Sequence, residues 1–216
     1  MPFIHHINMG DTNACLAYIK KLADFGTNNS LIISPHSGGY NDSVFALDDD
    51  HDGNDYTYSA LAISNSLAAV GVGATNIYYV NDSSDHIRSA TNVAGYFSFA
   101  GHSSLGPSFP TNGTVNFTGQ SSWFLISTYE SFNGHRWDVF LSDYAKWFAV
   151  NAFGGTNYAN TPAGAATHTY EPGPSGITDG ETFFSLWAQG KTFSLCAWNA
   201  SRTRYFMAVG DPFIRK

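Results

Sequence analysis

Residues that could carry acid–base or nucleophilic chemistry follow two apolar stretches of the sequence. His102 comes shortly after the stretch 93–100, and a second stretch begins at Trp123. The second stretch ends in hydroxyl and carboxylate side chains, namely Ser127, Thr128, Glu130 and Ser131. An imidazole can act as a general base toward a hydroxyl group, and a carboxylate can orient the imidazole. If the two stretches are neighbouring strands, these residues predict a catalytic site. The alternative is a structural His102 that donates one hydrogen bond to a carbonyl group.

The loop after the first stretch has part of a nucleophile-elbow pattern. That pattern, Gly-X-Ser-X-Gly, holds a strained serine between a strand and a helix. Here Gly101-His-Ser-Ser is followed by Leu105 where the second glycine is needed. The residues from Pro107 onward do not continue as a helix. The sequence therefore favours a strand-terminating loop whose hydroxyl groups bind backbone groups.

An acidic segment resembles the start of a calcium-binding loop. Asp48, Asp50 and Asp52 alternate and are followed by Gly53, as in the pattern D-x-D-x-D-G. Ser59 stands at the twelfth position, where a bidentate glutamate is expected, and no helix is predicted before the loop. The segment predicts a weak calcium site, and the competing interpretation is a solvated acidic turn. The histidines show no zinc-ligand spacing, so a zinc site is not expected. Apart from the possible calcium ion, no cofactor is required.

Two further candidates lie near the C-terminal third. The small residues from Ala163 to His168 predict a strand, and Glu171 lies in the Pro- and Gly-containing loop that follows. His168 and Glu171 are therefore predicted ligand-binding residues at the end of a third strand.

Apolar periodicity and capping residues predict the elements that must position these groups. Helices are predicted at 12–25, 58–70, 142–154, 179–189 and 192–199. Strands are predicted at 30–34, 76–80, 93–100, 122–128, 163–168 and 205–209. Val44 to Leu47 are expected only to lead into the acidic turn.

The order of these elements predicts the fold class. Strands that are apolar along their whole length alternate with helices, which is typical of a mostly parallel sheet covered on both faces. We therefore expect one three-layer α/β domain over residues 1–216. Ligand sites in such sheets lie at the carboxyl ends of the strands. That edge would bring together His102, the residues that end the second stretch, and His168.

The composition of the chain excludes some classes of binding partner. The net charge is −7 without a basic cluster, which argues against nucleic acid and anionic membranes. No apolar run approaches the roughly 18 residues of a membrane-spanning helix. Charged residues are only 12% and aromatic residues 16%, a balance that suits an extracellular or cell-envelope protein. The first residues do not form a signal peptide, so an exported protein would begin before them. Tryptophan side chains can stack on sugar rings, so a carbohydrate partner is one alternative. Trp147 and Trp187, however, are expected in the core.

Three features of the last third occur in a fixed order. They are Ala163-Gly-Ala-Ala-Thr-His-Thr-Tyr-Glu-Pro, a segment with Phe183, Phe184, Trp187 and Gly190, and finally Val209-Gly-Asp-Pro-Phe. This order resembles the end of gingipain-type cysteine peptidase domains. It is still more similar to an uncharacterised family of exported bacterial proteins found alongside the exosortase sorting system. Gly38-Gly-Tyr and Val44-Phe-Ala-Leu-Asp-Asp-Asp resemble the middle region of that second family.

The resemblance implies a caspase-haemoglobinase-like fold. In active members a histidine ends one central strand and the nucleophilic cysteine ends the next, because the thiolate needs a nearby imidazole. His102 occupies the first position, and the second, residues 127–131, contains no cysteine. Cys15 and Cys196 fall on predicted helices, and the sequence does not show whether they form a disulfide.

The resemblance thus implies an exported domain without cysteine-peptidase activity that acts in binding, with a protein or a carbohydrate, or in cell-envelope assembly. A hydrolase of ester, peptide or glycosidic bonds stays open. It would use His102 with Ser127, Thr128 or Ser131, and Glu130 or Glu171 would orient the base. A self-associating surface or filament subunit is the third alternative.

Overall fold

The structure is a computed structural model of the chain. It describes residues 5–6, 11–25, 43–49, 59–81, 87–99, 114–135 and 143–216. His102, Asp50 and Asp52 lie outside these residues, as does the strand predicted at 30–34.

Nine strands and five α-helices occur in the described part of the chain. The strands are β1 (His5–His6), β2 (Val44–Asp49), β3 (Ile77–Asn81), β4 (Ser89–Thr91), β5 (Val93–Phe99), β6 (Asn116–Thr118), β7 (Leu125–Tyr129), β8 (Gly164–His168) and β9 (Phe206–Gly210). The helices are α1 (Thr12–Phe25), α2 (Ala60–Ala69), α3 (Asp143–Trp147), α4 (Gly180–Ala188) and α5 (Phe193–Ala200). None of the helices in the described ranges is long and apolar enough to span a membrane.

Seven strands form one sheet in the order β1-β9-β8-β7-β5-β2-β3. Neighbours from β8 to β3 run parallel, whereas β9 is antiparallel to β8. β4 and β6 form a separate parallel pair. The predicted α/β fold, with a mostly parallel sheet flanked by helices, is therefore confirmed.

Two apolar clusters cover the two faces of the sheet because the central strands are apolar on both sides. In β7, Ile126 belongs to the cluster that also holds Tyr18 of α1 and Trp147 of α3. Leu125, next to it in sequence, points to the cluster built with α2, α4 and α5, which holds Trp187. Both tryptophans are fully buried, as predicted. We call these faces the α1 face and the α4 face.

The short strands β1, β4 and β6 were not predicted, and two larger elements differ from the sequence prediction. Val44 to Asp49 form a central strand rather than the approach to a turn, because β2 pairs with β3 on one side and β5 on the other. The helix predicted over 142–154 is shorter: α3 ends at Trp147, and a single turn follows at Ala152–Gly154. Phe153 there has a φ of 51°, which an α-helix does not allow.

Candidate functional site

β5 and β7 are adjacent parallel strands, so their carboxyl ends are neighbours. Ser98 lies opposite Thr128, and Phe99 lies opposite Tyr129. The catalytic site predicted from the sequence requires these two strands to be neighbours. His102 would follow the end of β5, but it lies outside the described residues.

The two hydroxyl residues near the end of β7 point to opposite faces of the sheet. Ser127 lies on the α4 face beside Ala166 of β8, and its side chain is 1% exposed. Its Oγ is buried and has no hydrogen-bond partner among the described residues. Thr128 lies on the α1 face and is also 1% exposed. Neither hydroxyl is open to solvent.

Asn133 ties the ends of β7 and β8 together, and sequence reasoning did not single it out. The side chain is fully buried. Its Nδ2 donates to Thr128 Oγ1 at 2.8 Å, and its Oδ1 accepts from the backbone N–H of His168 at 2.7 Å. The only sequence signal was the dipeptide Asn133-Gly134, which marks a turn but not a buried contact. The Thr128 hydroxyl is therefore an acceptor in a closed polar network.

His168 is a buried histidine that bonds two neighbouring segments. Nδ1 lies 3.0 Å from the carbonyl oxygen of Glu130. Nε2 accepts from the backbone N–H of Thr178 at 3.2 Å, so the proton resides on Nδ1 and is donated to Glu130. Burial lowers the pKa of His168 to about 4, although the bond to Glu130 opposes the shift. Both ring nitrogens are thus engaged, and the ring is neutral at pH 7.

The remaining predicted residues of this edge differ in exposure. The side chain of Glu130 is 7% exposed, and Ser131 is half-buried. Glu171 is exposed, and its Oε1 accepts from the backbone N–H of Gly173 at 2.9 Å. The structure therefore brings Glu130 and His168 into contact, while Glu171 lies at the surface.

Asp48 belongs to a buried polar row rather than to a turn. It lies opposite Ser98 of β5, which in turn lies opposite Thr128 of β7. Asp48 is fully buried, and its Oδ2 accepts from the backbone N–H of Ile87 at 3.0 Å. Burial, aided by the negative charge of Asp48, raises the pKa of Tyr96 well above its ordinary value.

The strand and the burial contradict the interpretation of Asp48 as part of a solvated acidic turn. Its role as the first ligand of a calcium loop stays a prediction. Side chains of a strand inside the sheet face the core. The Asp48 carboxylate therefore lies in the core, where it accepts a hydrogen bond from the backbone N–H of Ile87. Asp50 and Asp52 lie outside the described residues. Within the described ranges, no three His, Cys, Asp or Glu side chains converge as metal ligands.

Neither cysteine lies at the carboxyl edge of β5 and β7. Cys15 on α1 packs against the cluster of the α1 face, and Cys196 on α5 belongs to the cluster of the α4 face. The sheet separates them, and they form no disulfide. Burial raises the pKa of Cys196 to about 12, which makes it a poor nucleophile. Comparisons with protein-family models, with curated proteins and with solved structures found no match.

Proposed function

We propose that this chain is an exported bacterial domain of the gingipain- and caspase-like kind that binds a ligand at the carboxyl edge of its sheet and has no cysteine-peptidase activity. The observation that carries the proposal is the end of β7. Ser127 and Thr128 occupy the place where the resemblance expects a nucleophilic cysteine, and both are 1% exposed.

The geometry of this strand end disfavours covalent catalysis by its hydroxyl groups. A nucleophile must come within about 3.5 Å of the substrate carbon, which a buried hydroxyl cannot do without rearrangement. Thr128 Oγ1 accepts from Asn133, and His168 has no nitrogen left to act as a base. A closed, hydrogen-bonded strand end supports a structural role for these residues, with the ligand bound by exposed groups nearby.

A second candidate function is a hydrolase that uses His102 as the base. One observation favours it. Ser127 Oγ is buried without a hydrogen-bond partner among the described residues, and a functional role is one of the recognised reasons for such a group. In this alternative His102 would have to reach Ser127.

Hydrolysis of chromogenic esters, peptides and glycosides tests both candidates. We expect no turnover by the wild-type protein, and no difference between it and His102→Ala or Ser127→Ala. Ser127→Ala is a clean probe because it removes a hydroxyl that makes no hydrogen bond to any described residue, so the fold should be retained. Ser66→Ala on α2, whose hydroxyl contacts Ser185, is the matched control.

Two results would count against the binding proposal. Turnover that both His102→Ala and Ser127→Ala abolish, while Ser66→Ala retains it, would establish the hydrolase. Peptide cleavage that is blocked by iodoacetamide would instead show that a thiol is catalytic.

A further inference from the structure

Three aromatic side chains form a connected surface at the carboxyl edge of the sheet. We call Phe132, Tyr170 and Tyr205 the aromatic tier. The ring centroids of Phe132 and Tyr170 are 5.1 Å apart, and those of Tyr170 and Tyr205 are 5.2 Å apart. Tyr170 is 54% exposed, and the other two rings are half-buried. The rings are inclined to one another by 61° and 48°, and Tyr170 is the ring that the tier mainly presents to solvent.

The fold brings these rings together at one edge. Phe132 follows the end of β7, and Tyr170 follows the end of β8. Tyr205 precedes β9, and because β9 is antiparallel to β8, its start lies at the carboxyl end of β8. The tier therefore lies beside the buried network of Asn133 and His168 and faces outward from it.

Backbone hydrogen bonds hold the tier in place. The N–H of Gly134 donates to the carbonyl of His168 at 2.9 Å, and the N–H of Thr169 donates to the carbonyl of Tyr205 at 2.8 Å. Phe132 adopts a left-handed φ of 58°, which costs free energy in a residue other than glycine. Because the hydrogen bonds pre-order this surface, it loses little entropy on binding.

Polar groups with planar, bidentate geometry flank the rings. The guanidinium carbon of Arg204 lies 5.0 Å from the centroid of the Tyr205 ring, and Nη2 donates to the Tyr205 hydroxyl at 2.9 Å. Arg204 is exposed, as is the Glu171 carboxylate next to Tyr170 in sequence. The surface therefore combines aromatic rings with the remaining guanidinium donors of Arg204 and with the Glu171 carboxylate, one oxygen of which accepts from Gly173.

We propose that the aromatic tier, with Arg204 and Glu171, binds neutral carbohydrate chains. The C–H faces of a pyranose ring are apolar and pack on aromatic faces, whereas its adjacent hydroxyl groups need paired donors and acceptors at the rim. The net charge of −7 disfavours a polyanionic glycan. This inference rests on the proposed binding function and names the ligand class of the same edge.

Titration calorimetry of the full chain with cellohexaose, chitohexaose, maltohexaose and xylohexaose tests the proposal. At least one of these neutral oligosaccharides should bind. Tyr170→Ala should weaken that binding by about tenfold or more, since an exposed aromatic anchor carries much of the contact. Tyr170→Phe keeps the ring and should keep most of the affinity. Tyr78→Ala, which removes a 44% exposed tyrosine from β3, is the control and should bind like wild type.

Thermal unfolding of each variant separates loss of binding from loss of fold. Tyr170→Ala should unfold close to the wild-type temperature because its side chain is more than half exposed. Binding of none of the four oligosaccharides, or equal binding by Tyr170→Ala and wild type, overturns the carbohydrate inference. Binding of a proline-rich peptide instead, lost in Tyr170→Ala, also overturns it but leaves the proposed binding function intact. Cleavage of a bound oligosaccharide that requires His102 overturns the proposed function while the tier remains the carbohydrate surface.

Discussion

Replacement of Asn133 by alanine is the most direct perturbation of the strand-end network. The substitution removes two hydrogen bonds from a fully buried side chain. It also leaves the backbone N–H of His168 without the Oδ1 acceptor and Thr128 Oγ1 without its donor. We therefore expect Asn133→Ala to lower the free energy of unfolding strongly.

The magnitude follows from the state of the groups left behind. A buried polar group that loses its partner costs about 1 to 3 kcal/mol. The backbone N–H of His168 is buried at the edge of the sheet, so the loss of its acceptor accounts for most of the cost. The Thr128 hydroxyl, in contrast, can rotate toward another acceptor. The sum is about 2 to 4 kcal/mol, a large part of the roughly 5 to 15 kcal/mol that stabilises a typical domain.

Urea unfolding followed by tryptophan fluorescence measures this change. Asn133→Asp keeps an acceptor for the His168 N–H, but it loses the donor to Thr128 and places a carboxylate in a fully buried site, so it should also destabilise the fold. Asn199→Ala is the matched control, because the Asn199 amide donates to Leu195 from an exposed position on α5. We expect it to lie within about 0.5 kcal/mol of wild type. If Asn133→Ala also unfolded within about 0.5 kcal/mol of wild type at an unchanged denaturant slope, the network would not hold β7 and β8 together.

Two further predictions concern pH. Burial lowers the pKa of His168 from 6.5 to about 4. Between these two pH values, His168 is protonated in the unfolded chain but neutral in the folded chain. Stability should therefore fall as the pH drops from about 6.5 to 4, by about 3 kcal/mol from this residue, and urea unfolding of His168→Gln should show a correspondingly flatter dependence. Lys21 is buried, its Nζ donates to the carbonyl and hydroxyl oxygens of Thr161, and burial lowers its pKa from 10.5 to about 7. Between these values only the unfolded chain binds the proton, so wild type should be about 2 to 3 kcal/mol more stable at pH 9.5 than at pH 7.5; an equal gain in Lys21→Met would assign the effect to another group.

Hydrophobic periodicity predicted the elements whose burial decides their structure. α1, α4 and α5 were predicted within a residue or two, because each has an apolar face at helical spacing. β5, β7 and β8 were predicted because they are apolar on both faces. From these elements the sequence also predicted that the ends of β5 and β7 meet, which requires only that the two strands be neighbours.

Elements whose structure depends on distant partners were missed. β2 carries Asp48 and Asp49 at its end, and local propensity favours a turn for such residues. Pairing with β3 and β5 nevertheless keeps these two residues in the strand. The buried Asp48 carboxylate then accepts a hydrogen bond from the Ile87 N–H. Asn133 was missed for a related reason, since an Asn-Gly dipeptide gives no information about which distant strand its side chain will join.

Of all these features, the aromatic tier is the one that local sequence patterns predict least. Phe132, Tyr170 and Tyr205 come from three separate segments, and only the order β7-β8-β9 places them side by side. The same order buries the groups closest to the strand ends, because Asn133 and His168 use their polar atoms to join those segments. A hydrogen-bonded network next to a partly exposed aromatic surface pre-orders that surface, which lowers the entropy cost of binding. Under the proposed binding function, the buried strand ends support the surface, and we propose that the residues just beyond them contact the ligand.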